Sequence, residues 1–147
     1  MNSYDPQKPF DGFDFKLESP RYRYYNTGGV KEITFYNDKN IIHRPECDGP
    51  ANFYYHQNGA KYLEEYVVDG KSHRSNGPAK TAWEKNGVKV YEAYVRDGRD
   101  HRVDGPSITE WSSNGTLLRE EYHINGERIY ANSFREFKKI LTRRLFI

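Results

Sequence analysis

The sequence predicts a mainly β fold: an extended, twisted antiparallel meander of about four 28-residue repeats with a C-terminal capping α-helix. Three observations carry that prediction. Punctuation recurs at a fixed step of 28, with Gly-Pro at 49-50, 77-78 and 105-106, Asn-Gly at 58-59, 86-87 and 114-115, and Glu-x-Tyr at 64-66, 92-94 and 120-122. Asn-Gly and Asp-Gly pairs flanked by alternating apolar residues are hairpin signals, because both residues tolerate the positive φ of a type I′ turn. The period changes in the tail, where Phe134, Phe137, Ile140, Leu141 and Leu145 fall at helical spacing behind Ser133 and Glu136, a capping-box pair.

The elements follow in order. Residues 1–19 form an N-terminal segment, disordered over 1–9, then a leading strand in which Phe13, Phe15 and Leu17 alternate with Asp14 and Lys16. Four copies occupy 20–132. The first is degenerate and begins at Pro20, since Pro20, Tyr25, Gly29 and Tyr36 reproduce the spacing of Pro50, Tyr55, Gly59 and Tyr66. In the third copy, residues 79–83 and 88–95 pair around Lys85-Asn86-Gly87, Asp97-Gly98 turns the chain again, and 99–105 is a connector that Pro106 restarts. His-Arg recurs at 43-44, 73-74 and 101-102, and the longer first step reflects the inserted Pro45-Glu46-Cys47 ahead of Pro50. A fifth copy is replaced. Where His-Arg and Gly-Pro would recur the chain reads Ile129-Tyr130 and Ser133-Phe134, and 133–147 becomes an amphipathic helix that closes the last sheet edge.

Size and composition exclude several classes. A chain of 147 residues is one domain or one repeat array, too short for two ordinary domains with a catalytic cleft between them. Mean hydropathy is −1.03 and aliphatic residues are few, but 13 Tyr, 8 Phe and 2 Trp with a net charge of only +2 give an ordered chain with a thin, Tyr-rich core. No apolar run approaches the roughly 18 residues of a membrane span, and no signal-peptide core follows Met1, so integral membrane association and export are not expected. The single Cys47 excludes a disulfide framework or a CxxC zinc site and fits a reducing, cytoplasmic setting.

The pattern His73-Arg74-Ser75-Asn76-Gly77-Pro78-Ala79, Trp83, Asn86-Gly87, Glu92, Tyr94, Asp97-Gly98, with its counterparts 28 residues away, resembles the MORN-like β-hairpin repeat family. The resemblance is to its long His-Arg-x-x-Gly-Pro-Ala variant, found in viruses, phages and bacteria, and covers about three quarters of the chain. It implies the repeat fold and a protein-binding role, with host cytoplasm as the setting if the chain is viral.

Candidate chemistry is weighed position by position. His43, His73 and His101 invite a metal reading, but successive copies stand about 10 Å apart when each adds two strands, too far to share one ion, and each His precedes an Arg. They read as structural, and no metal or cofactor is expected. Glu64, Glu92 and Glu120 lack a closed cleft for catalysis and read as acceptors for the Arg or His of an adjacent connector. Cys47, with generic neighbours, reads as a loop thiol, and no catalytic residue is assigned. Arg135, Lys138, Lys139, Arg143 and Arg144 read as the solvated face of the capping helix, so nucleic acid is not an expected partner.

Function should lie where the copies differ. The partner-binding candidates are Tyr22, Tyr24, Phe35, Tyr54, His56, Tyr91 and Arg119. Parity places Tyr24, Phe35 and Tyr54 on one aromatic face at the N-terminal end, either covered by Phe10, Phe13 and Phe15 or open to a partner. The expected function is a non-enzymatic repeat scaffold that binds another macromolecule, most plainly a protein, such as a viral or phage effector acting on a host factor. The alternative is a glycan-binding module that stacks sugars on Trp83 and Trp111. The sequence does not specify an oligomeric state.

Overall fold

In the computed structural model, which describes residues 20–145, nine strands form one antiparallel meander. In sheet order they are β1 (Arg21–Tyr24), β2 (Val30–Thr34), β3 (Asn52–Tyr55), β4 (Lys61–Glu65), β7 (Lys80–Trp83), β8 (Lys89–Ala93), β11 (Ile108–Trp111), β12 (Leu117–Ile124) and β13 (Glu127–Ile129). Two small hairpins interrupt the numbering: β5 (Val67–Val68) with β6 (Lys71–Ser72), and β9 (Val95–Arg96) with β10 (Arg99–Asp100). Helix α1 (Phe134–Leu145) ends the described chain. The expected leading strand over 13–17 lies outside the described residues.

The turns are of two kinds, where the sequence predicts one. At Asp69-Gly70, Asp97-Gly98 and Asn125-Gly126 both residues have positive φ, as a type I′ turn requires. At Asn58-Gly59, Asn86-Gly87 and Asn114-Gly115 only the glycine does. These Asn residues serve differently: the side-chain oxygens of Asn58, Asn86 and Asn114 accept the amides of Ala60, Val88 and Thr116 at 3.1, 3.0 and 3.1 Å, an Asx turn that leads into the next strand. Residues 99–105, expected as plain connector, begin with β10.

Between copies, one set of contacts repeats. The guanidinium of Arg44 lies over the Phe35 ring at 4.0 Å, Arg74 over Tyr66 at 4.0 Å and Arg102 over Tyr94 at 3.8 Å, each a cation–π contact. The same arginines donate to the carbonyls of Pro50, Pro78 and Pro106. Such close approach explains the Gly-Pro signature: a Cβ on Gly105 would stand 2.8 Å from the Arg102 guanidinium carbon, and Gly77 meets Arg74 at 3.1 Å with φ at +126° besides. Each histidine pins the following copy. Nδ1 of His43, His73 and His101 lies 3.0, 3.1 and 3.1 Å from the backbone amides of Asp69, Asp97 and Asn125, and the Asp69 and Asp97 carboxylates stand 2.9 Å from the same ring nitrogen of His43 and His73. His73 Nε2 faces Glu46 at 3.1 Å, and the Glu46 carboxylate also takes the Ser75 amide at 2.8 Å, so the insertion at the end of copy one clamps copy two.

These contacts correct two expectations. Glu64 and Glu92 do not receive the connector arginines; they pair with Lys61 and Lys89 of their own strands, and Glu120 accepts the Tyr122 hydroxyl at 3.0 Å. The carboxylate that serves the interior is Glu65, which accepts from Ser72 at 2.5 Å and Asn52 at 3.0 Å and meets Lys80 at 3.1 Å. Burial pushes its pKa up, but these partners outweigh burial and hold it below the ordinary carboxylate value.

The second correction concerns the first copy. Gly28 donates to the Tyr25 carbonyl as Gly59 donates to that of His56, so Gly28 is the counterpart of Gly59 and the copy is offset by 31, not 30. Tyr25 OH donates to the Tyr55 carbonyl at 2.6 Å just as His56 Nε2 donates to that of Trp83 at 3.0 Å, which fixes the same alignment.

Two small cores result. Ala79, Ala93 and Val95 are buried beneath Tyr66, Tyr91 and Ile108, and at the C-terminal end Tyr122, Ile129 and Phe137 are buried with Phe134, Ile140 and Leu141 against them. Tyr122 occupies the place of Tyr94, but its roof is Phe137, with ring centroids 4.8 Å apart, rather than an arginine. Ser133 accepts the Glu136 amide at 3.3 Å at the helix start, and the Glu136 carboxylate takes the Asn132 amide at 2.8 Å, a capping box shifted by one residue.

Candidate functional site

Pairing sorts the candidate residues onto two faces. One row across the sheet reads Arg23, Glu32, Tyr54, Leu63, Ala82, Tyr91, Glu110 and Arg119. Tyr54, Tyr91 and Arg119 therefore share a face. Tyr22 pairs with Ile33, and Ile33 with Phe53, in the row beside it, and the side chains of that row point to the other face together with Tyr24 and Phe35. The single aromatic face of Tyr24, Phe35 and Tyr54 does not exist, because a one-residue slip in aligning the first copy moves every side chain across the sheet.

Their environments differ as well. Tyr22 and Tyr24 are 50% and 59% exposed and stack at 6.4 Å. Phe35 is roofed by Arg44 and meets Phe53 edge-on. His56 is half-buried and held by its bond to the Trp83 carbonyl, so its role is to join hairpins. Burial, followed by the Asp100 and Glu110 carboxylates, pushes the Tyr91 hydroxyl above its ordinary pKa; burial, then Glu32 and Glu65, does the same to Tyr54. Whether residues 1–19 cover Tyr22 and Tyr24 lies outside the described residues.

Arg119 leads to the site. It pairs with Glu110 and, at 2.7 Å, with Glu121, a buried carboxylate that also meets Arg128 at 3.3 Å. Beside it runs a groove of ≈ 500 Å³ lined by consecutive residues of β12, Leu117 to Tyr122, and by the stretch from Arg128 to Asn132. Consecutive residues of both parities can line one groove only along a strand's edge. Among the described residues, β12 pairs over Leu117 to Glu121 with β11 on one side and with no strand on the other. In the two preceding copies the matching stretch takes the next copy's first strand: β4 pairs with β7, and β8 with β11. Leu117, Leu118 and Tyr130 are 52%, 65% and 79% exposed along this edge.

Sequence reasoning found Arg119 but missed Leu117, Leu118, Arg128 and Tyr130. A signal was there: at steps of 28 the chain reads Lys61, Lys89, Leu117, a change from lysine to leucine at the last copy. Among the described residues no cluster of three His, Cys, Asp or Glu side chains could hold a metal ion, and no helix is long and apolar enough to cross a membrane.

Comparison with known proteins adds little. No protein-family model and no curated protein matches the chain. Among solved structures, the GtfA/B complex bound to UDP and GlcNAc is similar over 88% of this chain at 12% identity, with a TM-score of 0.38. The match covers 26% of that chain, so this chain spans about a quarter of its neighbour's length, and a likeness this distant carries no functional argument.

Proposed function

We propose that this chain is a non-enzymatic, MORN-like β-repeat scaffold that binds another protein at its C-terminal end. What carries the reading is the exposed group of Leu117, Leu118 and Tyr130 beside the paired charges of Arg119 and Glu121. An apolar strip edged by charge is the usual anatomy of a protein contact. The exposed thiol of Cys47 suits a reducing compartment, in keeping with a cytoplasmic setting, that of a host if the chain is viral.

Glycan binding is the weaker alternative. Tyr24, Tyr55, Trp83 and Trp111 do form a row, but both tryptophans are half-buried, and Lys61 and Lys89 place their amines 5.2 and 4.9 Å from the two ring centres. The test is affinity capture from the native host with wild type and with a Leu118→Asp/Tyr130→Ser double variant, which changes only side chains 65% and 79% exposed. Loss of the captured protein by a variant with an unchanged melting temperature is expected; the same capture by both overturns the reading.

A further inference from the structure

Resting on that protein-binding reading, we infer that the free edge of β12 takes an extended acidic strand from the partner, in the register that the repeat itself uses between copies. The backbone sets the geometry. Tyr66 and Tyr94 donate their amides across the junction to the carbonyls of Ala79 and Ser107 at 2.8 and 2.7 Å. Alternation along an antiparallel pair then turns Glu92 toward Thr109 and, in the last copy, turns the N–H and C=O of Glu120 outward. No strand meets them among the described residues, because the chain enters α1 where the next copy's strand would form.

Side chains support the same conclusion. A solvent-facing edge is normally guarded by lysine, proline or a covering element. Here lysine stands at the covered junctions, as Lys61 and Lys89, and leucine stands at the open one, as Leu117, the reverse of what protection against pairing would select. Opposite residues in a non-hydrogen-bonded pair approach most closely, and in the incoming strand that place lies against Arg119, whose side chain is 50% exposed. Arg128 flanks the groove, and Arg135, Lys138, Lys139 and Arg143 follow on α1. This charge favours an acidic residue opposite Arg119, with a hydroxyl residue opposite Glu120 and a large apolar one opposite Leu117. The chain's own β11 has that order: on β8, Thr109 pairs with Glu92 and Glu110 with Tyr91, and the amine of Lys89, the counterpart of Leu117, lies 4.9 Å from the Trp111 ring centre. Recognition of this kind draws affinity from main-chain bonds and selectivity from alternate side chains.

The probe is a labelled peptide copying residues 105–113, titrated into the full-length protein by fluorescence anisotropy. Saturable binding is expected. N-methylation at the residue copying Thr109 should weaken it about tenfold or more, whereas N-methylation at the copy of Ile108, whose amide points away from β12, should leave it within about twofold. Replacing the peptide's glutamate by lysine should weaken binding to wild type and strengthen it to Arg119→Glu. No saturable binding, or equal effects of the two methylations, overturns strand addition. A concentration-dependent dimer of the protein that Glu120→Pro abolishes overturns it too, by placing a second copy on the edge. If the methylations act alike while the double variant still loses its captured protein, protein binding stands and only the strand mode falls.

Discussion

The junction between the third and fourth copies and the end of the fourth copy present the same strand position in two states. At the junction, β8 carries Lys89 and Glu92 and Tyr94 follows it; the lysine lies over Trp111, Tyr94 is roofed by Arg102, and β11 occupies the edge. At the end, β12 carries Leu117, Glu120 and Tyr122; the tyrosine is roofed by Phe137, and among the described residues the edge is open. The roof was replaced and the neighbouring strand was not. Helix α1 thus completes the core of the last copy without filling the place of the next strand, so that capping the core and closing the sheet are separate events here. The tyrosine shows how complete the first is: burial, with the Glu120 hydrogen bond next, pushes the Tyr122 hydroxyl up to about 12.

Removing each roof breaks this comparison most sharply. Phe137→Ala should cost about 3–5 kcal/mol, because a fully buried ring is lost and Tyr122 is left uncovered. Arg102→Ala, at the junction, should cost less, about 1–2 kcal/mol, for one cation–π contact and one hydrogen bond. Chemical denaturation of both variants measures the difference, and equal losses would mean that the two roofs are equivalent. Gly105→Val should cost about 1–3 kcal/mol by driving the Arg102 guanidinium off the Tyr94 ring.

The carboxylates give a smaller contrast. Glu65→Ala should cost about 1–3 kcal/mol by leaving Asn52 and Ser72 unpaired, whereas Glu92→Ala, which frees only the surface Lys89, should stay within about 0.5 kcal/mol. Because Glu65 has a folded pKa below its unfolded value, its contribution is present above the ordinary carboxylate pKa and disappears as pH falls through the lowered one. Glu46, held down chiefly by the Ser75 amide, has the same sign, so melting curves of wild type and Glu46→Gln should converge on acidification. The smallest effect is at the edge itself: Leu118→Asp should leave stability within about 0.5 kcal/mol, since that side chain is 65% exposed.

Legibility in the sequence followed the kind of signal. Repeat spacing, hairpins and the C-terminal helix were readable because Gly, Pro, Asn and the helical period act locally, and Ser133 and Glu136 mark the helix start. Register in the first copy was not, since Gly28 and Gly29 are adjacent and only hydrogen bonds decide which one is the counterpart of Gly59. The partners of Arg74 and Arg102 were misassigned for a similar reason. Charge invites pairing with Glu92, but the guanidiniums bond a carbonyl and stack on a ring that the chain brings close only after folding. Of the site, Arg119 was read from its variation between copies. Leu117 and Leu118 were overlooked because an edge becomes visible only when strand order is known.

Amide hydrogen exchange, read residue by residue on the full-length protein, tests the open edge most directly. The Glu64 and Glu92 amides, paired across the junctions between copies, should be strongly protected, and the Glu120 amide, at the equivalent position on β12, should exchange faster by orders of magnitude. Protection of Glu120 equal to that of Glu92 would show that the edge is already filled and would contradict the account.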